Sequence, residues 1–306
     1  MNSEKFFTRG IVVTLAAILC CALWGSATPF IKIGYQLILP HRDVPSIILF
    51  AGVRFLLAGI LTILLYSIAR KKVLVPKKEN WHRVAVVSCF QTIVQYIFFY
   101  IGLANTTGVK GTVESGSNAF FSLIIASLIF KQEKLTVKKL VACALGFAGV
   151  ICINLNGLDF KMNFFGDGFV IFSAVSYAIS SVLIKKYSKY EDPVVISGYQ
   201  FAIGGLFMVL VGVCLGGHIR IPTAAAFGVL LYLSMLSAVA YALWGVLLKN
   251  NPVSKITVFS FLIPAFGVVL SNLMLQEAGG VLALNLCIAL LMICIGVFML
   301  NYKKAD

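Results

Sequence analysis

Apolar stretches of about 20 residues follow one another along almost the whole chain, with short polar connections between them. A helix of this length spans the hydrocarbon core of a bilayer. Backbone polar groups in lipid must be satisfied within the segment itself, so each stretch is predicted to be a helix. Hydrophobic residues make up 60% of the 306 residues and charged residues only 12%, which excludes an ordinary soluble enzyme.

The stretches predict an all-α integral membrane protein with ten transmembrane helices. They cover residues 11–31, 46–69, 83–104, 111–130, 138–155, 166–184, 194–215, 224–248, 256–275 and 281–300. Pro29 and Pro264 fall inside two of them. A proline there removes a helical hydrogen bond, so both residues are predicted to kink their helices, as structural or gate elements.

Lysine and arginine are unevenly divided between the two sets of loops. With the N-terminus in the cytoplasm, 19 of the 25 basic residues lie inside, 5 outside and Arg54 within a span. Because basic residues accumulate in cytoplasmic loops, we expect cytoplasmic N and C termini in a multi-pass protein of the cell (cytoplasmic) membrane. The net charge of +14 then requires no nucleic-acid partner. The eight cysteines and three histidines have no metal-site spacing, so neither a metal nor a cofactor is expected.

The two halves of the chain resemble each other. Residues 18–32 align with 171–185, 54–59 with 200–205, 132–133 with 276–277 and 149–150 with 296–297, at offsets of 144 to 153. Four matches in the same order favour a duplication, with a first repeat at 1–155 and a second at 156–306. Because each repeat holds five spans, the second enters the membrane from the opposite side. Such inverted repeats are typical of secondary transporters.

Several short motifs, in their order along residues 11–301, resemble the EamA type of the drug/metabolite transporter superfamily. They are Ala22-Leu-Trp24-Gly-Ser-Ala, Arg54-Phe-Leu-Leu-Ala, Lys131-Gln-Glu133-Lys-Leu-Thr136, Gly146-Phe-Ala-Gly149-Val, Pro264-Ala-Phe and Leu275-Gln-Glu277. The resemblance implies a ten-helix secondary transporter with a cavity between its halves. Its members move amino acids, other small metabolites, nucleotide sugars, sugar phosphates or drugs. The fourth span departs from the pattern, since it lacks a proline like Pro264 and carries Glu114 and Asn118.

Glu114 is the acid that the windows place inside the fourth span, about one turn from its outer end. Asn118 follows one turn later on the same face, and Ser115 lies beside it. Intramembrane acids usually face a protein interior or a water-filled cavity. Glu114 is therefore a candidate for substrate binding and for proton coupling. The alternative is a solvated Glu114 at the outer mouth, paired with Lys110.

Further polar residues lie within the second and third spans. Arg54 is about 12 Å into the second, where it either binds an anionic group or holds helices together; a pairing with Glu114 is also conceivable. In the third span, Gln91 and Gln95 either join helices or line the substrate site.

Aromatic residues supply the remaining site candidates. Trp24 and its repeat counterpart Tyr177 lie deep in their spans, and Tyr241 and Trp244 near the cytoplasmic end of the eighth. Aromatic faces suit a cationic or aromatic substrate, whereas aromatics near span ends are typical of an interfacial belt, the interpretation favoured for Trp244. Glu133 and Glu277 are repeat-related residues at opposite membrane faces, predicted to be structural caps or gate elements.

These features predict a secondary active transporter, not an enzyme, that exports a small metabolite by alternating access around a midplane cavity. An amino acid or organic cation is the expected substrate, with a proton or counter-substrate as the drive. The alternatives are an enzyme acting on a lipid or isoprenoid phosphate, a channel, or an anion and sugar-phosphate carrier using Arg54. The expected partners are the substrate and the lipid bilayer, and a homodimer is left open.

Overall fold

The computed structural model describes residues 6–106, 108–155, 161–275 and 283–301, and the regular secondary structure among these residues is helical. The α-helices there are α1 Gly10–Ile38, α2 Val44–Arg70, α3 Trp81–Ser88, α4 Gln95–Ala104, α5 Gly108–Gly116, α6 Asn118–Ile124, α7 Val137–Asn154, α8 Phe169–Tyr187, α9 Pro193–Cys214, α10 Ala224–Asn250, α11 Val253–Thr257, α12 Leu262–Leu275 and α13 Ala283–Asn301. Turns of π-helix form Cys89–Val94, Ile125–Ile129 and Phe164–Gly168, and 3-10 turns form Lys78–Asn80 and Val258–Phe261.

Eight helical segments within the described residues are long and apolar enough to cross a membrane. They are Gly10–Ile38, Val44–Arg70, Lys78–Leu103, Phe164–Tyr187, Pro193–Cys214, Ala224–Asn250, Val253–Ser271 and Leu284–Asn301, and a shorter apolar helix covers Val113–Ile129. The prediction of an all-α membrane protein is confirmed. The count of ten crossings and the cytoplasmic placement of the termini stay predictions.

Polar residues at the starts of four helices explain where these helices begin. Asp43 and Asp192 precede α2 and α9, and each accepts a backbone N–H bond, from Ser46 N at 2.7 Å and from Val194 N at 2.8 Å. Thr136 and Thr223 cap α7 and α10 in the same way. Each cap satisfies a backbone donor that the first turn of a helix leaves unpaired.

The first helix is longer than the sequence predicted. It is one α-helix from Gly10 to Ile38 and passes through Pro29 without ending. The window ended at residue 31 because Lys32 lowers the local hydropathy. The backbone continues beyond it for nearly two turns, and the chain leaves α1 at Leu39, whose N–H still bonds to Tyr35 O at 3.3 Å.

The predicted fourth and ninth spans are both interrupted. The fourth breaks at Ser117 between α5 and α6, and the ninth passes through the 3-10 turn Val258–Phe261 before α12. Pro264 lies just after this turn, so its missing donor coincides with the interruption. Ser117 and Phe261 are 144 residues apart, the offset that also relates Glu133 to Glu277. The fourth span is therefore broken at the position corresponding to the end of the 3-10 turn, although it has no proline.

Helices α2 and α9 pack closely against each other, and glycines permit the approach. A Cβ on Gly59 would meet Ala202 N at 2.4 Å, and one on Gly205 would meet Leu56 N at 2.3 Å. Both separations are far inside contact distance to backbone atoms. Gly59 corresponds to Gly205 and Leu56 to Ala202, each at an offset of 146 positions. The same contact therefore occurs twice.

This doubling holds across the molecule. A Cβ on Gly149 of α7 would meet Ala289 O at 2.9 Å, and one on Gly296 of α13 would meet Ala142 O at 2.6 Å, again a matched pair. Helix α1 packs on α10 and α12, and α8 packs correspondingly on α4 and α6. In each case the same contact is found again when every residue is replaced by its equivalent in the other half. This relation indicates a two-fold axis, which passes through the α2–α9 and α7–α13 pairs.

Candidate functional site

Arg54 projects from α2 towards α10 and is 4% exposed. Its Nη2 donates to Ser237 Oγ at 3.0 Å and its Nε to Leu233 O at 3.4 Å. Among the described residues no carboxylate pairs with this guanidinium, and its Nη1 has no hydrogen-bond partner. The considered pairing with Glu114 is therefore not formed. Arg54 is a buried cation that joins two helices and keeps one donor nitrogen available.

Tyrosines surround this cation. The hydroxyls of Tyr35, Tyr96, Tyr100 and Tyr241 lie close enough to interact electrostatically with its charge. The ring of Phe55 lies beside the guanidinium, 5.0 Å from Cζ to ring centroid. The Phe55 ring thus provides an aromatic contact for the guanidinium, and the four tyrosines lie in its neighbourhood.

Gln200 of α9 corresponds to Arg54 of α2, which lies 146 residues earlier in the chain. It is fully buried, and its Oε1 accepts a hydrogen bond from Thr92 Oγ1 at 2.5 Å. Thr92 precedes Ser237 by 145 residues, so the two bonds connect equivalent positions in the two halves. One half therefore places a cation where the other places a neutral amide, and the symmetric scaffold carries an asymmetric charge.

Two aromatic pairs lie on the two-fold axis. The rings of Phe55 and Phe201 stack with centroids 5.1 Å apart, and the hydroxyls of Tyr96 and Tyr241 lie 2.6 Å apart. The members of each pair are 146 and 145 residues apart, so each residue contacts its own counterpart. A residue can touch its two-fold equivalent only at the axis. The centre of the molecule is therefore aromatic, and Arg54, which directly precedes Phe55 in α2, lies beside it and bonds Ser237.

Trp24 joins this group from α1. Its ring makes edge contacts with Tyr241 at 4.9 Å and with Trp244 at 5.0 Å. Trp244 is 1% exposed, so its interpretation as a belt residue was wrong. The indole lies near a helix end in the sequence, but the crossing of α1 over α10 covers it. We call Trp24, Phe55, Tyr96, Phe201, Tyr241 and Trp244 the aromatic core.

Gln91 lies inside the π turn Cys89–Val94, which changes the helical spacing on which the pairing with Gln95 was predicted. Turns of π-helix often mark functional positions. Gln91 is 1% exposed and Gln95 half-buried, and within the described residues the side-chain oxygens of both lack a hydrogen-bond partner. Their amides are polar groups of the membrane interior that the fold itself does not satisfy.

Glu114, Ser115 and Asn118 lie around the interruption of the fourth span, and all three are half-buried. Helix α5, which carries Glu114 and Ser115, packs against α7 and α8, and α6, which begins at Asn118, packs against α8 and α11. Ser115 Oγ donates to Gly111 O at 2.7 Å, so it satisfies its own helix. The amide oxygen of Asn118 has no partner within the described part of the chain.

Tyr177 of α8 is 6% exposed, and its carbonyl accepts bonds from Ser180 Oγ at 2.7 Å and Ser181 Oγ at 3.0 Å. Ser176 Oγ donates to Phe90 O at 2.7 Å and so ties α8 to the π turn of the third span. The serines on this helix thus pack against protein. Tyr177 and Trp24, predicted to be counterparts, differ in that Trp24 contacts the aromatic core.

Glu133 lies at the predicted cytoplasmic end of the fourth span. Its carboxylate accepts from Ser254 N at 2.9 Å, from Ser254 Oγ at 2.5 Å and from Lys139 Nζ at 2.7 Å. It therefore caps α11 and links the fourth span to the ninth. Nearby, Gln132 Nε2 donates to Val182 O at 3.1 Å. Its predicted counterpart Glu277 lies outside the described residues.

Comparison with known proteins identifies the family. The sequence model described as "EamA-like transporter family" matches residues 11–155 and 164–302. The chain belongs to this family. The two matched ranges fall in the two halves that share the contacts described above.

Relatives of the EamA-like chain are named as transporters. The "Uncharacterized transporter YvbV" of Bacillus subtilis (strain 168) is 26% identical, over 92% of this chain and 89% of the relative. An "Uncharacterized transporter" of Archaeoglobus fulgidus is 27% identical, over 86% of this chain and 89% of its own length. A crystal structure 16% identical in sequence superposes with a TM-score of 0.76 over 94% of this chain and 95% of that one, which shows a shared fold.

Sequence reasoning about this EamA-like chain missed part of the site. It did not single out Phe55 and Phe201, although the alignment of 54–59 with 200–205 contained their correspondence. It also gave no signal for Asp167, a fully buried acid outside the aromatic core that accepts hydrogen bonds from Thr106 Oγ1 and, at 2.6 Å, from Asn163 N. Aromatic residues at matched repeat positions were the signal that could have located the axis.

Proposed function

We propose that this EamA-like protein is a secondary active transporter that exports a zwitterionic metabolite, an amino acid, across the cytoplasmic membrane by alternating access. The observation that carries the proposal is the position of Arg54. It is a buried cation without a carboxylate partner among the described residues, and it adjoins an aromatic core on the two-fold axis. A substrate with an anionic and a cationic group matches both features.

The substrate carboxylate accepts from Arg54 Nη1, the nitrogen that the fold leaves without a partner. Charge-assisted bonds from a guanidinium to a carboxylate are short and directional. The substrate ammonium lies over the faces of Trp24 and Tyr241, whose edge contact at 4.9 Å forms an aromatic corner. Gln91, Gln95, Tyr177 and Asn118 supply further polar contacts from neighbouring helices.

Alternating access follows from the arrangement of the halves. Two five-helix repeats, inverted in the membrane, rock about the axis through Phe55–Phe201 and Tyr96–Tyr241. Interrupted fourth and ninth spans are the type of helix that forms transporter sites. The Glu133–Ser254 contact closes the cytoplasmic side in this conformation.

Glu114 is the proposed proton carrier. It lies half-buried beside the interruption of the fourth span, and intramembrane acids usually face a protein interior or a water-filled cavity. Protonation of Glu114 from outside and its release to the cytoplasm drive substrate outward. If Glu114→Gln leaves the transport rate and its pH dependence unchanged, this coupling scheme is wrong.

The function is tested by a thermal-shift screen of the purified protein against amino acids, polyamines, quaternary amines, nucleosides and sugar phosphates. A ligand at 100 times its Kd stabilises the folded protein by about 2.7 kcal/mol in the two-state limit. We expect amino acids to stabilise it, and counterflow of the same compound in proteoliposomes to demonstrate transport.

The Arg54→Gln variant decides between substrate classes. For a zwitterion, the loss of one charge-assisted hydrogen bond weakens binding by about 1.5–3 kcal/mol, roughly 10- to 100-fold. Arg54→Lys should retain part of the affinity. Organic cations that bind equally well to wild type and to Arg54→Gln would contradict the proposal of a zwitterionic substrate.

Arg54 also favours a second candidate function. A carrier of sugar phosphates or other organic anions would also use Arg54 as its anion contact. Stabilisation by sugar phosphates but not by amino acids, lost in Arg54→Gln, would establish this function in place of amino acid export.

A further inference from the structure

The connection from α2 to α3 is strongly basic. Five of its nine residues 70–78 are cations: Arg70, Lys71, Lys72, Lys77 and Lys78. The nearby acids are Glu79, Glu191 and Asp192. Within the described residues none of the four lysines forms an ion pair, although the charge of Lys77 acts on Glu191. Lys71, Lys72 and Lys78 are exposed and uncompensated.

The backbone of this connection is held rigidly. Ser67 accepts from Lys72 N at 3.0 Å through its carbonyl and from Leu74 N at 3.1 Å through its hydroxyl. Tyr199 of α9 donates to Leu74 O at 3.0 Å, and Lys77 N donates to Glu191 Oε2 at 2.9 Å. The lysine side chains therefore extend from a fixed frame, and little backbone entropy is lost when they bind.

Exposed apolar side chains lie between the two groups of cations and just after the second group. Val73 is 76% exposed, Val75 54% and Trp81 39%. The Trp81 ring leans edge-on against Tyr199, with centroids 5.2 Å apart, and is held at the end of the spanning segment. Exposed valines in a water-filled loop are unfavourable, but the same side chains are stabilised at the boundary between headgroups and acyl chains.

We propose that this loop, residues 70–81, is a binding site for anionic phospholipid headgroups. The ammonium groups of Lys71, Lys72 and Lys78 contact the phosphates, and Val73, Val75 and Trp81 enter the adjoining acyl boundary. Basic clusters next to a transmembrane helix attract anionic lipid, and tryptophan is enriched at this depth.

The apolar residues distinguish a lipid from a free phosphate. A soluble anion would satisfy the lysines but would leave Val73 and Val75 in water. A phospholipid satisfies both, since its phosphate and its acyl chains are joined in one molecule. The loop also contacts the second half through Tyr199 and Glu191, so bound lipid stabilises the contact between the halves.

Trp81 provides a local reporter. The protein is reconstituted in phosphatidylcholine vesicles that contain brominated phosphatidylglycerol or, at equal mole fraction, brominated phosphatidylcholine. Bromine quenches indole fluorescence on contact, and subtraction of the Trp81→Phe signal removes the contributions of Trp24 and Trp244. We expect the Trp81 component to show a preference for the anionic lipid of roughly fivefold, which corresponds to about 1 kcal/mol.

Charge-matched variants complete the test. Lys71→Gln with Lys72→Gln and Lys78→Gln should abolish the preference, whereas Lys131→Gln with Lys134→Gln and Lys138→Gln should retain it. The control removes the same charge from another exposed loop, and Lys71 and Lys131 both have positive φ, at 51° and 50°. Equal quenching by the two brominated lipids in wild type would overturn the proposal, as would an unchanged preference in the first triple variant. Quenching relieved by inorganic phosphate at constant ionic strength would identify a soluble-anion site instead.

Discussion

The hydroxyl oxygens of Tyr96 and Tyr241 lie 2.6 Å apart although 145 residues separate them in the chain. They are equivalent residues of the two halves, and their hydrogen bond joins α4 of the first half to α10 of the second. Beside it, Phe55 stacks on its own equivalent Phe201 at 5.1 Å. The two halves thus meet through matched residues at the axis, and the substrate site we propose adjoins this meeting point.

The tyrosine pair should show energetic coupling. Tyr96→Phe or Tyr241→Phe alone leaves a buried hydroxyl without its partner, at a cost of about 1–3 kcal/mol in the free energy of unfolding. The double variant removes both hydroxyls, so its cost should be less than the sum by about 1 kcal/mol. Denaturant unfolding in mild detergent measures all three. If the two single-variant losses of unfolding free energy add up to the loss of the double variant, the hydrogen bond contributes nothing. The control is the distant pair Tyr96→Phe and Tyr199→Phe, for which the losses should be additive.

The α2–α9 contact should not tolerate alanine. Gly59→Ala and Gly205→Ala each place a Cβ within 2.4 Å of a backbone nitrogen, which cannot rotate away as a side chain can. Overpacking of this kind costs typically about 1–3 kcal/mol. Gly228→Ala is the control, because a Cβ there meets nothing within 4 Å and the helix should gain about 0.4–1 kcal/mol. Melting temperatures that fall equally in all three variants would contradict the argument.

Removal of the Glu133 carboxylate should open the predicted cytoplasmic side. Glu133→Gln loses the ion pair to Lys139 and weakens the two bonds from Ser254, so α11 is released. The 3-10 turn that follows α11 accepts the Cys21 thiol at Phe259 O, 3.2 Å away. The reaction of buried Cys21 with a thiol reagent, measured without the other cysteines, should accelerate roughly tenfold.

Lys139→Gln is the matched variant for this gate, since it removes the ion pair and leaves the Ser254 bonds to Glu133 intact. Its labelling rate should fall between those of wild type and Glu133→Gln. A Cys21 rate unchanged by Glu133→Gln would show that this carboxylate does not hold the predicted cytoplasmic side closed.

Stability should fall in acid partly through Glu191. Burial opposes its ionisation, but hydrogen bonds from Asn80 Nδ2, Lys77 N and Asp192 N outweigh this effect and hold the pKa of Glu191 below its ordinary value of 4.5. The native state therefore binds this proton less readily than the unfolded state does. The resulting stability is fully present above pH 4.5 and is lost as the pH falls through the lower native pKa.

The Glu191→Gln variant should be less stable than wild type near neutral pH, and its free energy of unfolding should decline less steeply below pH 4.5. The exposed neighbour Glu79, replaced in the same way, is the control. Parallel pH profiles for wild type and Glu191→Gln would place the acid sensitivity elsewhere.

Local sequence signals were sufficient for the membrane fold. The length of each apolar stretch is a property of consecutive residues, so the positions of the predicted spans follow from hydropathy. Helix starts at Asp43 and Asp192 also have a local cause in their capping carboxylates. The interruption at Ser117 lacks such a signal, because the chain has no proline there.

The arrangement of the site depends on contacts between distant residues. Hydropathy placed Trp244 near a span end, but the crossing of α1 over α10 buries it against Trp24. The repeat alignment matched Phe55 with Phe201, yet their stacking needs the two-fold geometry in three dimensions. Arg54 could be singled out as a buried cation, whereas its partners Leu233 and Ser237 lie on a helix more than 170 positions away.

The position of the tyrosine bond has a mechanical consequence. A contact on an axis of rotation has no lever arm, so the rocking of the two halves that we propose would displace it little. The Tyr96–Tyr241 bond can therefore persist while contacts far from the axis, such as Glu133–Ser254, are made and broken. The aromatic core would then be the pivot of the proposed motion, and the bonds at the membrane faces would limit its extent.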